Sequence, residues 1–272
     1  MRVRVPSTSI RHWTHPVLTF LLPAPCAACH SPLDALQLHG VCSRCWSGLE
    51  PLRGPNCRRC ALPGPMSSDL SGAEPDLCRP CALRSSPVDV TVAAVAYDRC
   101  ARSVLLRAKL GRRREILYEL ALQMRAAVLA SGHSHRCSAV VAVPSHPLAN
   151  LRRGFSPGQE LASHMAEHLG LPLRPVLHRR LIPWGSVKHR GARARRRLLA
   201  GSVVARRGLE GARVLLVDDV MTTGATAEAC ALALRRAGCD GVVATVWARA
   251  MRPLERGLRG RGARLGVPSG GV

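Results

Sequence analysis

Two adjacent carboxylates, Asp218 and Asp219, follow the apolar run Val214–Val217 and precede a cluster of small residues, Thr222-Thr223-Gly224-Ala225-Thr226. Ionised carboxylates only accept hydrogen bonds, so they suit a diol such as that of ribose. A glycine-containing loop that opens a helix turns unpaired N–H groups, and the positive end of the helix dipole, towards an anion. Residue types and order therefore predict a site for a sugar flanked by a phosphate. Four Cys-x-x-Cys pairs near the other end of the chain point to different chemistry: Cys26/Cys29, Cys42/Cys45, Cys57/Cys60 and Cys78/Cys81. Each pair aims two thiolates at one point, and two pairs complete a tetrahedral sulfur shell for zinc. Four pairs in series predict two structural zinc ions, shared in sequence order as 26/29/42/45 and 57/60/78/81 or interleaved. A thioredoxin-type redox site would need one such pair beside a βαβ unit, not four in a proline-rich segment. Disulfides are at odds with a cytoplasmic setting.

A frame is needed to hold these groups. Val214–Val217 reads as a short buried strand, and alanine and leucine then recur at helical spacing to Ala237, with Gly238 as the stop. In an open α/β sheet, ligands bind beyond the carboxyl ends of the strands, which is where the acidic pair falls. Further buried strands are expected at Val90–Val95, Ala139–Val143 and Gly241–Trp247, and helices at Ala101–Leu110, Ile116–Leu129 and Gln159–Leu169. The second helix sets Ile116, Leu117, Leu120, Met124 and Val128 on one face. The fold class is α/β with a parallel sheet, preceded by the small cysteine-rich module. The strand at 139–143 runs into Pro144-Ser145-His146-Pro147 and soon after into Arg152-Arg153-Gly154-Phe155. Backbone N–H groups in such a turn and a guanidinium fork suit a diphosphate; a basic surface loop is the alternative. His146 is either a proton carrier or a hydrogen-bonded loop histidine. Of the remaining cysteines, Cys230 reads as a buried apolar residue, Cys137 precedes a strand, and Cys100 and Cys239 show no partner.

The chain has 272 residues, room for one medium domain and a smaller one. Boundaries are expected at 1–20 for a loosely ordered lead-in, 21–86 for the cysteine module, 87–250 for the α/β unit and 251–272 for a disordered Arg/Gly tail. No uninterrupted apolar run reaches the roughly eighteen residues of a membrane span. The brief run Val17–Leu22 is short for a secretion signal and ends in Pro23-Ala24-Pro25-Cys26, so the expected location is cytoplasmic. Basic residues number 40 against 17 acidic, a net +23, and the only lysines are Lys109 and Lys188. Such a field attracts polyanions at low salt. Arginine bias of this kind also follows from a G- and C-rich genome, so charge alone does not define a nucleic-acid binder.

The stretch VLLVDDVMTTGAT, Val214 to Thr226, resembles the phosphoribosyl-diphosphate (PRPP) motif of type I phosphoribosyltransferases. By that resemblance Asp218 and Asp219 hold the ribose hydroxyls, Thr222, Thr223, Gly224, Ala225 and Thr226 wrap the 5′-phosphate, and Val217 leads into the site. A mobile hood upstream would cover the reacting centre, and the basic residues His178-Arg179-Arg180, Lys188 to Gly191 and Arg193 to Arg197 fit it. A nucleic-acid track and a solvated basic face fit them equally well. Joined to the cysteine pairs, the motif is similar to the ComF/GntX family of double zinc ribbon and phosphoribosyltransferase-like proteins, linked to competence for DNA uptake. Further points of resemblance are Lys109 with Gly111, Val143–Pro147 (with Pro144 and His146), and Arg153-Gly154-Phe155. Departures are Ser156-Pro157 for the family's Asn-Gln, Trp184–Gly191 for its Gln-x-Gly-Leu-Ser hood pattern, and Leu198-Leu199-Ala200-Gly201 for Asn-Leu-x-Gly. The resemblance implies Mg²⁺-dependent transfer of phosphoribosyl from PRPP to a base, with structural Zn²⁺. The alternative it leaves is a non-catalytic protein that engages single-stranded DNA or a DNA-processing protein. It fixes neither the acceptor nor the oligomeric state.

Overall fold

The computed structural model describes residues 25–33, 40–66, 76–110, 114–145, 154–180 and 201–251. The lead-in, the tail, most of the hood segment, and His146 and Arg153 of the expected diphosphate turn lie outside the described residues.

Four parallel strands form the central sheet: β1 (Val90–Ala96), β2 (Ala139–Ala142), β5 (Arg213–Met221) and β6 (Gly241–Arg249), in the order β1-β6-β5-β2. Every residue of β1 and β6 is buried, as expected of parallel strands covered on both faces. The period of two distributes β5 between two cores. Leu215 and Val217 face a cluster with the helices α3 (Arg99–Leu110), α4 (Arg114–Ala130) and α5 (Pro157–Leu169). Val214 and Leu216 face a second cluster with α6 (Ala225–Arg236). Trp247 is fully buried, and its indole N–H donates to Gln123 Oε1 at 2.8 Å, which satisfies its one polar atom.

The expected helices and strands are all present, with ends moved by a few residues. The exception that matters is β5. The sequence places Asp218 and Asp219 just after the strand, yet β5 stays paired with β6 as far as Met221↔Arg249. Both carboxylates therefore lie on the strand, not on the loop. A small antiparallel pair was not foreseen: β3 (Leu177–Arg179) against β4 (Val203–Ala205). It turns the first part of the basic stretch, His178 and Arg179, into strand.

The cysteine module contains two short helices, α1 (Ser43–Ser47) and α2 (Arg79–Ala82), each starting just after a cysteine. Between its two halves, residues 50–58 run along the outer edge of β1. Ala96 N donates to Glu50 O at 2.8 Å, Leu52 N to Ala94 O at 3.0 Å, and Thr91 N to Arg58 O at 2.7 Å. The module is thus fastened to the sheet by backbone pairing as well as by packing.

Candidate functional site

Alternation along β5 sends the two carboxylates to different neighbours. Asp219 turns towards α3, where Lys109 in the last turn places Nζ 2.6 Å from Asp219 Oδ2. Asp218 lies on the side of α6, within the field of Arg179 on β3. Its Oδ1 accepts the backbone N–H of Asp219 at 2.9 Å. Burial first, and the Asp219 charge second, push the Asp218 carboxyl from its ordinary 3.8 up to about 7, against the pull of that N–H, Lys109 and Arg179. A folded chain that keeps this proton up to about pH 7, where the unfolded chain has lost it, becomes less stable as pH rises between the two values. Asp218→Asn should therefore raise the Tm above wild type at high pH, with a gap that narrows as pH falls through the window. A gap independent of pH in thermal melts would refute the assignment.

After β5, Thr222 and Thr223 are exposed and Gly224 caps α6 with φ 80°, a left-handed conformation that costs glycine little. Ala225 N donates to Thr223 Oγ1 at 3.4 Å, and Ala225 and Thr226 form the first turn of the helix. A strand end with two carboxylates, an exposed threonine loop and a helix N-terminus of 12 residues thus meet at one edge of the sheet. The β2 turn lies at the carboxyl end of its own strand beside β5, with Pro144 and Ser145 described. Ser145 Oγ is 3.3 Å from Ser156 Oγ, and Ser156 caps α5 by accepting Gln159 N at 3.4 Å, with Pro157 at the first helical position. The Ser-Pro departure from the family pattern therefore keeps a good helix start. Gly158 comes next, closely packed: a Cβ there would sit 3.3 Å from Val143 O.

One residue beside the site was missed from the sequence. Arg249, the last residue of β6, is only 3% exposed. Its Nη1 donates to Met221 O at 2.9 Å, to Ala250 O at 2.8 Å and to Thr222 O, so it grips the start of the threonine loop. Its Nε donates to Cys60 O at 2.7 Å, inside the cysteine module. Among 40 basic residues, an arginine at the end of a strand carried no local signal.

The cysteines assemble as two quartets in sequence order, Cys26/Cys29/Cys42/Cys45 and Cys57/Cys60/Cys78/Cys81, with each quartet's sulfurs within 4.8 Å of one another. The interleaved alternative is thereby excluded. Cys29 and Cys42 sulfurs are 3.7 Å apart, as are those of Cys60 and Cys78. A tetrahedron with Zn–S of about 2.3 Å requires S···S near 3.8 Å, so both quartets fit zinc. Backbone N–H groups of Ala28 and Cys42 point at Cys26 Sγ at 3.4 and 3.3 Å, the orientation a bound thiolate needs. Cys100, without a partner in the sequence reading, approaches the first quartet by donating to Cys45 O at 3.4 Å.

Two known domain families match parts of the chain. Residues 17–82 match the double zinc ribbon domain and residues 148–256 the phosphoribosyl transferase domain. The DNA utilization protein YhgH of Salmonella typhimurium is 30% identical over 230 residues, 83% of this chain and 96% of the relative. Its Salmonella typhi counterpart is 29% identical over the same shares. Among solved structures, the allosteric regulatory enzyme of purine biosynthesis aligns at 23% identity and TM-score 0.33, over 48% of this chain and 25% of that one. A purine phosphoribosyltransferase from Pyrococcus horikoshii aligns at 14% identity and TM-score 0.31, over 50% and 85%. Fold, cysteine quartets and sequence together define a phosphoribosyltransferase-type α/β protein with a double zinc ribbon. The chain belongs to the ComF/GntX family of such proteins. Among the described residues, no helix is long and apolar enough to cross a membrane.

Proposed function

We propose that the chain binds PRPP with Mg²⁺ at the carboxyl end of β5 and transfers its phosphoribosyl group to a nitrogenous base. The observation that carries this reading is the adjacency of Asp218 and Asp219 to an exposed threonine loop that opens α6. Ribose hydroxyls would donate to the two carboxylates, with Lys109 holding Asp219 in place. The 5′-phosphate would lie on the N–H groups of residues 222–226, and the diphosphate at the turn of Val143, Pro144 and His146 with Arg153. Bound Mg²⁺ would supply charge neutralisation, held mostly by the diphosphate oxygens. In the transfer the C1–O bond to diphosphate breaks, with its electron pair leaving on the diphosphate, and a base nitrogen forms the new bond to C1. Catalysis would be positioning and charge stabilisation. In the same reading residues 21–86 are the ribbon module, 87–250 the transferase unit, and the zinc-bound quartets work in the cytoplasm.

Calorimetric titration of the zinc-loaded chain with PRPP and Mg²⁺ tests this directly. Saturable binding is expected; its absence would overturn the reading. A link to DNA is the second reading, favoured by the relatives' designation as DNA utilization proteins and by the net charge of +23. It requires that single-stranded DNA stays bound at about 150 mM salt, where contacts made by charge alone have largely weakened.

A further inference from the structure

We infer that Arg249 is a positioning residue through which the second cysteine quartet sets the phosphate loop, so that zinc at that quartet and PRPP at the loop bind cooperatively. The inference rests on the PRPP reading of residues 222–226.

Arg249 spans two structures that the sequence keeps far apart. One edge of its guanidinium holds Met221 O and Thr222 O, the carbonyls that lead β5 into the loop; Nε holds Cys60 O, in the knuckle of the second quartet. A planar fork locks these groups at a fixed separation, which a lysine's single ammonium cannot do. Charge adds to geometry. Four thiolates around Zn²⁺ leave a dianionic centre, and two arginines lean on its backbone: Arg249 on Cys60 O, and Arg59, whose Nη1 donates to Cys81 O at 2.5 Å and to Arg84 O at 2.7 Å. Without the metal the knuckle loses its geometry, and the hold of Arg249 on Cys60 O goes with it. A second strut runs in parallel: Arg84, at the end of the same module, pairs with Glu228 in the first turn of α6. Arg84 thereby offsets a carboxylate that would otherwise oppose a phosphate at the helix N-terminus. The first quartet has different contacts: Cys26 and Cys42 pack in the core that holds α3 and α4.

Binding free energies are reciprocal, so PRPP must retain the zinc that helps it bind. The test uses the full chain loaded with zinc in the presence of Mg²⁺, with and without PRPP. A zinc-selective chelator is added, newly freed cysteines are pulse-alkylated, and mass spectrometry identifies them. PRPP is expected to slow alkylation of Cys57, Cys60, Cys78 and Cys81 by about tenfold, within the usual range of coupling, and to leave Cys26, Cys29, Cys42 and Cys45 unaffected. Arg249→Lys, holding two zinc ions, should lose this selective protection and bind PRPP about tenfold more weakly. Equal protection of both quartets would mean general stabilisation and would overturn the coupling. Calorimetrically saturable PRPP with no protection of the second quartet would overturn it too, and leave the PRPP site standing. No saturable PRPP binding would remove the site and the coupling together. The comparison of the two quartets in wild type decides the matter even if Arg249→Lys does not fold.

Discussion

Replacing Asp218 and Asp219 together by asparagine is expected to reduce PRPP affinity by at least about a hundredfold while leaving the fold intact. The magnitude follows from two charge-assisted hydrogen-bonding groups, each worth about 1.5–3 kcal/mol, where about 1.4 kcal/mol is tenfold in affinity. The fold should survive because neither carboxylate holds the sheet together. β5 is fixed by its backbone pairing with β2 and β6 and by Val214–Val217, all buried. Asp218 opposes stability when ionised, since burial has pushed its carboxyl up to about 7. Lys109 would lose its partner, a modest penalty for a pair at the edge of the site. Calorimetry with PRPP and Mg²⁺, beside a thermal melt, checks both halves of the expectation. Undiminished binding in a folded double variant would refute the role given to the pair.

The second large effect is expected at the first cysteine quartet. Cys26→Ser with Cys29→Ser should lower bound zinc from two ions per chain to one and reduce the Tm by on the order of 10 °C. A chain of this size loses about 2–4 °C per kcal/mol, and a structural zinc contributes several kcal/mol of folding free energy. The loss would not stay local, because Cys26, Cys42, Val41 and Leu49 belong to the same buried cluster as Ile116, Leu120 and Leu161. Gly40 sits against Ile116 as well: a Cβ added there would lie 3.6 Å from the isoleucine Cδ1. Metal analysis and a melt give the answer, and an unchanged zinc content would disprove the ligand assignment.

The chemistry was legible where it depends on residues close in sequence. Asp218, Asp219 and the loop to Thr226 form one continuous motif, and the cysteine knuckles announce themselves by spacing. What escaped depends on partners brought together by the fold. The end of β5 was set too early because a carboxylate pair resembles a strand exit, whereas pairing with β6 carries the strand to Met221. The short strands β3 and β4 have three residues each, too few for periodicity to show against the arginines around them. Arg249 was invisible for a related reason. In a chain so rich in arginine, one more carries no signal until its fork is seen on Cys60, Met221 and Thr222. Lys109 was noted from family resemblance alone; its ion pair with Asp219 spans a sequence distance that no local pattern records.

The strip of residues 50–58 along β1 has a consequence for the fate of the chain when zinc is scarce. β1 reads VTVAAVA, without a charge or a proline, and it is the outermost strand of its sheet. Such an edge is a template for pairing with another molecule unless something covers it. Here the cover is a stretch of the metal-dependent module, stapled at Glu50, Leu52 and Arg58. Zinc is therefore expected to act as a guard against aggregation: a metal-starved chain would expose a sticky edge and self-associate through it. Light scattering during chelation should rise as the quartets empty. A clear solution of metal-free, folded monomer would show that the edge needs no guard.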